Sequence, residues 1–254
     1  MHDIRKLSVM ENIMDENDHI AEHINEHMTA HGILVVNEMG APGVGKTTTL
    51  RNIINNLQIT KPFVIEGDIE SDLDTQTLNN LGITAYQINT FGACHLDAPM
   101  IDHGIDHIDF NLEDKERGML FIENIGNLVC PAEFTIGEHV LMLVSTVTEG
   151  SDKPYKYPLA FEKADIIILN KVDLIPYLDF DEEFFMKGVR ALNKTAPIFK
   201  VSGRTGEGFK EVAAWLEGRA AALNIHEHHH DHDHEHAHGH GHSHDHDHGH
   251  HHHE

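Results

Sequence analysis

The sequence predicts an α/β domain: a mostly parallel sheet of about seven strands with helices on both faces. Short, nearly continuous apolar runs recur along the chain, and longer amphipathic stretches separate them. Strands covered on both faces read as unbroken apolar runs, and parallel neighbours need a crossover between them. A glycine-rich turn, "GAPGVGKT", also follows the first run directly.

The first element is a helix over about 10–30, where Ile20, Ile24 and Met28 form a stripe to be buried. His19, His23 and His27 recur at i, i+4 and i+8 and share one face. Two such histidines could ligate a metal; the plainer reading is a solvated stripe beside the buried one. Strands are expected at "GILVVNE", "PFVIEG", "ITAYQIN", "MLFIEN", "HVLMLVSTV", "DIIILN" and "PIFKVS". Helices are expected in most gaps, near 45–58, 72–81, 98–108, 158–163, 179–193 and 206–223.

A chain of 254 residues can bury a large core without disulfides. Two cysteines and no signal peptide point to a reducing compartment, and no apolar run nears the ~20 residues that span a bilayer. The expectation is a soluble, cytoplasmic protein. A net charge of −24 argues against nucleic acid or an anionic membrane as partner and favours metal cations or basic protein surfaces. From Ile225 the composition changes: the last stretch holds 17 of the 26 histidines, no Lys or Arg, and no aliphatic residue larger than Ala after Ile225 itself. It has nothing to bury, which predicts a folded body over 1–224 and a disordered tail over 225–254.

"GAPGVGKT" fits G-x-x-x-x-G-K-[ST] and lies between a strand and a helix, the context that gives the motif meaning. Gly40, Gly43 and Gly45 permit a turn, completed by Ala41, Pro42, Val44 and Thr48, whose backbone N–H groups line a phosphate cradle. Lys46 reaches for the β- and γ-phosphates, and the Thr47 hydroxyl for Mg2+. "LNKVD" closes a later strand with Asn170, Lys171 and Asp173, and the Asp can accept two N–H groups of guanine. "VSGRTGEGF" resembles the loop that contacts the guanine carbonyl, which adds Ser202, Gly203 and Arg204. Together these predict a P-loop GTPase domain. "EGDIESDLD" and "IENIGN" follow strands at the same sheet edge, so Asp68 and Glu123 are candidates for Mg2+ or water positioning. Helix capping or a solvated loop is the competing reading for each.

Cys94 and His95 follow one strand and Cys130 another, so all three emerge at the nucleotide edge. Thiolate beside imidazole suits Zn2+ or Ni2+, with Cys130, His103 or a second subunit completing the sphere. The cysteines could also be small buried hydrophobes or a redox pair, and His95 could merely bond a carbonyl. The tail weighs towards metal: imidazoles interleaved with Asp, Glu and Gly make a polydentate chelator for Ni2+, Zn2+ or Cu2+. A purification tag is usually a short uninterrupted run, and this tract is long and mixed.

The P-loop, "EGDIESD", "QINTFGACHLDA", "ENIGNLVCPAEF", "TEGSDKPYKYP" and "LNKVDL", in this order, resemble the HypB family, the GTPases that help insert nickel into nickel–iron hydrogenases. The resemblance covers about 15–222. It implies a slow, switch-type GTP hydrolase that forms a GTP-dependent homodimer and works with a HypA-type maturation partner and the hydrogenase large-subunit precursor. It also implies Cys94, His95 and Cys130 as metal ligands, with His103 as a further one, and Lys153 and Lys156 as residues that reach a nucleotide on the other subunit. The chain departs from the family in lacking an N-terminal cysteine-rich nickel motif, in carrying Phe91 and Ala93 where glycines are common, and in a histidine tract at the C-terminal end. Two other functions stay open from the sequence: a nickel or zinc buffering protein in which the tail does the work, and an accessory GTPase for another nickel enzyme such as urease.

Overall fold

The computed structural model describes residues 2–67, 78–79, 82–90 and 92–223, with side chains from residue 14 onward. Seven strands form one all-parallel sheet in the order β3-β2-β4-β1-β5-β6-β7. They are β1 (Ile33–Gly40), β2 (Thr60–Glu66), β3 (Thr84–Gln87), β4 (Arg117–Glu123), β5 (Val140–Thr146), β6 (Ile166–Asn170) and β7 (Ile198–Lys200). Each matches a predicted strand. Because every strand runs the same way, all seven carboxyl ends share one edge, and β1 lies between β4 and β5 at its centre.

The two faces are sorted by the period of two along each strand. Leu34 and Val36 of β1 and Met119 and Phe121 of β4 face a cluster completed by Leu50 and Ile53 of helix α2 (Lys46–Ile54) and by Val212 and Leu216 of the helix Phe209–Ala221. Ile33, Val35, Leu120 and Ile122 point the other way, against Ile24 and Met28 of helix α1 (His2–Ala30) and Ile101 and Ile105 of the helix Ala98–Ile105. Beyond β1 that face is covered by Phe161 and Phe185, from the helices Pro158–Lys163 and Glu182–Leu192. The helices expected near 98–108, 158–163, 179–193 and 206–223 are thus present, and α1 begins earlier than expected. Two single-turn helices, Cys130–Glu133 and Lys153–Lys156, were not expected; four residues carry no helical period to read. The helix expected over 72–81, apart from residues 78 and 79, and the tail 225–254 lie outside the described residues. No described helix is long and apolar enough to cross a membrane.

Asp97 caps the helix Ala98–Ile105 by accepting a hydrogen bond from Met100 N at 2.9 Å, and Pro99 sits in its first turn, where a missing N–H costs nothing. Asn17 of α1 accepts from Ala98 N at 2.9 Å and donates to the Thr135 carbonyl at 2.9 Å, so one buried amide ties α1 to both segments.

His139 extends the junction of β1 with β5. Its Nδ1 accepts from Val35 N at 2.9 Å, which leaves the proton on Nε2, 2.8 Å from Thr29 Oγ1; that hydroxyl in turn donates to the Asn25 carbonyl at 2.7 Å. Burial, then the Arg219 charge, lowers its pKa from 6.5 to about 4. The unfolded chain therefore takes up a proton first, so the stability His139 confers is complete above pH 6.5 and lost as pH falls towards 4. Allowing for its partial exposure, the loss is expected to be on the order of 1–2 kcal/mol. Denaturant unfolding of wild type and His139→Gln across this window measures it. The difference between the two slopes isolates His139 from buried Glu38 and half-buried Glu138, whose raised pKa values act in the opposite direction. Parallel slopes would refute the assignment.

Candidate nucleotide and metal sites

β1 ends in the glycine-rich turn. A Cβ at Gly40 would lie 2.7 Å from the Val144 carbonyl oxygen and 2.9 Å from Val44 Cγ2, so only glycine lets the turn leave the sheet this closely. Gly43 and Gly45 take left-handed backbone, φ 76° and 96°, and Gly45 forms the N-cap of α2. The first turn of α2 thus points its backbone N–H groups into the crevice, the arrangement that receives a phosphate. Pro42 packs against Gly126, where a Cβ would come within 3.0 Å of Pro42 Cγ, and Val44 is buried in the core. Ala41 is partly buried against the same core.

Beneath the turn sit Lys46, which is buried, and Thr47, whose hydroxyl donates to Glu123 Oε1 at 2.9 Å. Glu38, one strand over from Glu123 in the β1–β4 register, is completely buried, and neither of its oxygens has a hydrogen-bond partner among the described residues. Burial, followed by the Glu123 carboxylate, pushes the Glu38 pKa well above the usual range, against an opposing pull from Lys46. Two carboxylates and a threonine hydroxyl are hard oxygen donors, and this donor set fits Mg2+.

At the far end of the crevice, Asn170 Nδ2 donates to the Val44 carbonyl at 3.0 Å and to Thr49 Oγ1 at 3.4 Å, while its Oδ1 accepts from Lys171 N and Gly203 N. Lys171 has left-handed backbone and reaches back to the Gly43 carbonyl at 2.7 Å. Ser202 Oγ donates to Asp173 Oδ1 at 2.6 Å, which fixes the rotamer of that carboxylate. Thr48 stands against Gly203, where a Cβ would fall 2.9 Å from Thr48 Cγ2. Three loops far apart in sequence are thereby stitched into one wall, with Arg204 exposed beside it.

On the other side of the P-loop, one ligand atom from each of Cys94, His95 and Cys130 lies within 4.8 Å of the others. Cys94 Sγ is 3.5 Å from His95 Nδ1, and the His95 ring stacks on Phe134 at 4.4 Å between centroids. The Cys130 thiol, by hydrogen bonding first and then with burial and charge, raises the Cys94 pKa, so a metal entering here displaces thiol protons. The Cys94 loop is held by asparagines. Asn124 Oδ1 accepts from Leu96 N at 3.1 Å, its Nδ2 donates to Asn37 Oδ1 at 3.2 Å, and its backbone N donates to the Glu38 carbonyl at 3.0 Å. Asn127 donates to the Cys94 carbonyl at 3.2 Å and bridges to the backbone of Gly40. The Cys94 loop and the P-loop therefore hang from the same strand ends.

A family model described as CobW/HypB/UreG, nucleotide-binding domain, matches residues 34–200. Hydrogenase maturation factor HypB of Azotobacter vinelandii is 44% identical over 214 residues, 84% of this chain and 69% of that one. The chain belongs to the HypB family. Two solved HypB structures share its fold. That from Helicobacter pylori, in complex with nickel, superposes with a TM-score of 0.76 at 33% identity, covering 83% of this chain and 99% of that one. That from Archaeoglobus fulgidus gives 0.74 at 35%, covering 81% and 99%.

Within this HypB fold the described candidates fall into place unevenly. Lys46, Thr47 and Glu123 converge, as do Asn170, Lys171, Asp173, Ser202 and Gly203. Asp68 lies outside the described residues. Lys153 forms an ion pair with Glu149 at 2.6 Å and lies over the Tyr157 ring, and Lys156 pairs with Asp152 at 2.6 Å. His103 does not join the Cys94 group: it is exposed on its helix, its ring 4.5 Å from that of His107, which stacks on Tyr86. Sequence reasoning passed over Glu38, Asn124 and Asn127. Glu38 had a signal, a carboxylate inside an apolar run just before the P-loop, whereas the asparagines act through backbone contacts that leave no pattern.

Proposed function

We propose that this HypB-family protein is a GTP-hydrolysing nickel metallochaperone that stores Ni2+ and delivers it under GTP control during maturation of nickel–iron hydrogenase. One observation supports this above the rest: Cys94, His95 and Cys130 are gathered at one point, and Asn124 and Asn127 connect their loop to the strand ends below the P-loop. Lys46 neutralises the β- and γ-phosphates, Thr47 holds Mg2+, and Glu123, together with Asp68, positions the ion or the attacking water. Asp173 reads guanine. Mg2+, held by Thr47 with Glu123, would supply positive charge against the phosphates in this pocket.

A γ-phosphate orders the loops around it and hydrolysis releases them. Because Asn124 follows Glu123 and grips Leu96 N, a shift at the end of β4 is passed to the loop bearing Cys94 and His95. Hydrolysis is slow, and GTP favours a homodimer in which Lys153 and Lys156 exchange their present partners for the other subunit's nucleotide. The body, 1–224, is the switch and the tail, 225–254, the reservoir; a HypA-type partner and the hydrogenase large-subunit precursor receive the ion in the cytoplasm. Zn2+ can fill the same thiolate site without being the cargo.

Nickel affinity at the thiolate site is expected to differ about tenfold between the GDP state and a slowly hydrolysed GTP analogue, a coupling of about 1.4 kcal/mol. The sulfur-to-nickel absorption band reports it without interference from the tail. Asn124→Ala is expected to shrink the difference to about twofold or less while both ligands still bind. Equal affinities in the two nucleotide states of the wild type would reject GTP-gated delivery.

A further inference from the structure

The histidine stripe of α1 takes no part in the sites above. Ile24 and Met28 of α1 share a buried cluster with Ile101 and Ile105, so α1 and the helix Ala98–Ile105 lie side by side. Exposed His27 lies one residue before Met28 of that packed face, and the charges of exposed Asp102 and Asp106 on the facing helix act on its ring. One turn on, exposed His31 has its ring centroid 4.4 Å from that of His27, and its Nδ1–H donates to the His27 carbonyl at 2.8 Å. That bond commits the proton to Nδ1 and leaves the Nε2 lone pair for another partner, the support a metal-bound imidazole ordinarily has. Burial, followed by the charges of His31 and His23, holds His27 below the usual histidine pKa, in the neutral form that ligates.

We propose that His27 and His31, with Asp102 and Asp106 across the seam, form a second, surface site for a borderline divalent cation such as Ni2+ or Zn2+. Two imidazoles one helical turn apart chelate from one face, and the carboxylates add anionic oxygen donors. Among the described residues only the Cys94 group has three ligand atoms already gathered, so the seam closes on its ion by rotation of exposed side chains. It binds more weakly than the thiolates and releases sooner. The helix that carries Asp102 starts at its Asp97 cap, two residues after His95, which places the seam one short helix from the thiolate cluster. An ion passing between the tail and that cluster has a stopping place here. This transit role rests on the nickel-delivery reading; the binding itself does not.

The test uses the full chain. Diethyl pyrocarbonate acylates neutral, unligated imidazole, and mass spectrometry reads each histidine separately, so the tail does not mask the seam. With Ni2+ in excess over all tail sites, labelling of His27 and His31 is expected to fall about tenfold, and with Mg2+ to stay unchanged. In His31→Gln, and separately in Asp102→Asn/Asp106→Asn, protection of His27 is expected to drop below about threefold while the sulfur-to-nickel band persists. Unchanged labelling of both histidines in Ni2+, or full protection of His27 surviving in both variants, overturns the proposal. Should nickel affinity at the thiolates prove blind to nucleotide, the delivery reading fails and this protection pattern stands.

Discussion

Asp173→Asn is expected to weaken GTP binding by about two to three orders of magnitude, on the order of 3–4 kcal/mol, because two hydrogen bonds to a charged acceptor are lost at once. The same change is expected to admit xanthosine triphosphate, whose C2 carbonyl can accept from the new amide. The effect should be clean because Asp173 does not hold the fold together. Its partner within the chain is Ser202, which aims it, while the structural stitching of the P-loop to the base loop is done by Asn170. Calorimetric titration with both nucleotides measures the exchange. Undiminished GTP affinity in the variant would remove guanine recognition from this carboxylate, and with it the assignment of the nucleotide.

Cys130→Ser is expected to lower Ni2+ affinity at the thiolate cluster by about a hundredfold or more and to diminish the sulfur-to-nickel absorption, since a hydroxyl is a poor substitute for a soft thiolate donor. Cys94→Ser should do the same. Nucleotide affinity without metal is expected to stay within about twofold in both, because the partners described for these thiols are each other and His95. Chelator competition monitored at the charge-transfer band separates this site from the nitrogen and oxygen donors of the tail. Retention of wild-type nickel affinity in either variant would dissolve the cluster as a binding site, even though its ligand atoms lie within 4.8 Å of one another.

The sheet was the most legible part of the fold because parallel strands buried on both faces leave unbroken apolar runs: all eight residues of β1 and all seven of β5 are buried. Strand order was not legible. Nothing in "ITAYQIN" says that it forms the sheet edge beside β2, a choice made by packing between distant segments. The candidate phosphate and guanine residues could be proposed from sequence because motifs for both ligands are short contiguous loops with fixed chemistry. Cys94 and Cys130 were placed at one edge from strand direction alone, and their contact follows from β2, β3 and β4 being neighbours in the sheet. His103 was a candidate to complete the Cys94 coordination sphere, also through the family resemblance, but the Asp97 cap starts a helix that carries its ring away to His107. Asn124 and Asn127 escaped notice because an asparagine that bonds backbone looks like any other loop asparagine until the loop is seen.

The two sulfurs arrive on loops after β3 and β4, and the helix Ala98–Ile105 must be laid down between them. A chain emerging from the ribosome therefore exposes Cys94 well before it owns the other thiol, and has no paired thiols until β4 has docked against β2. On the metal-site reading proposed above, competence to hold an ion is acquired late in synthesis. A half-made chain offers passing metal a single sulfur, which limits its capture before the guanosine-binding wall, later still in sequence, exists to govern its release.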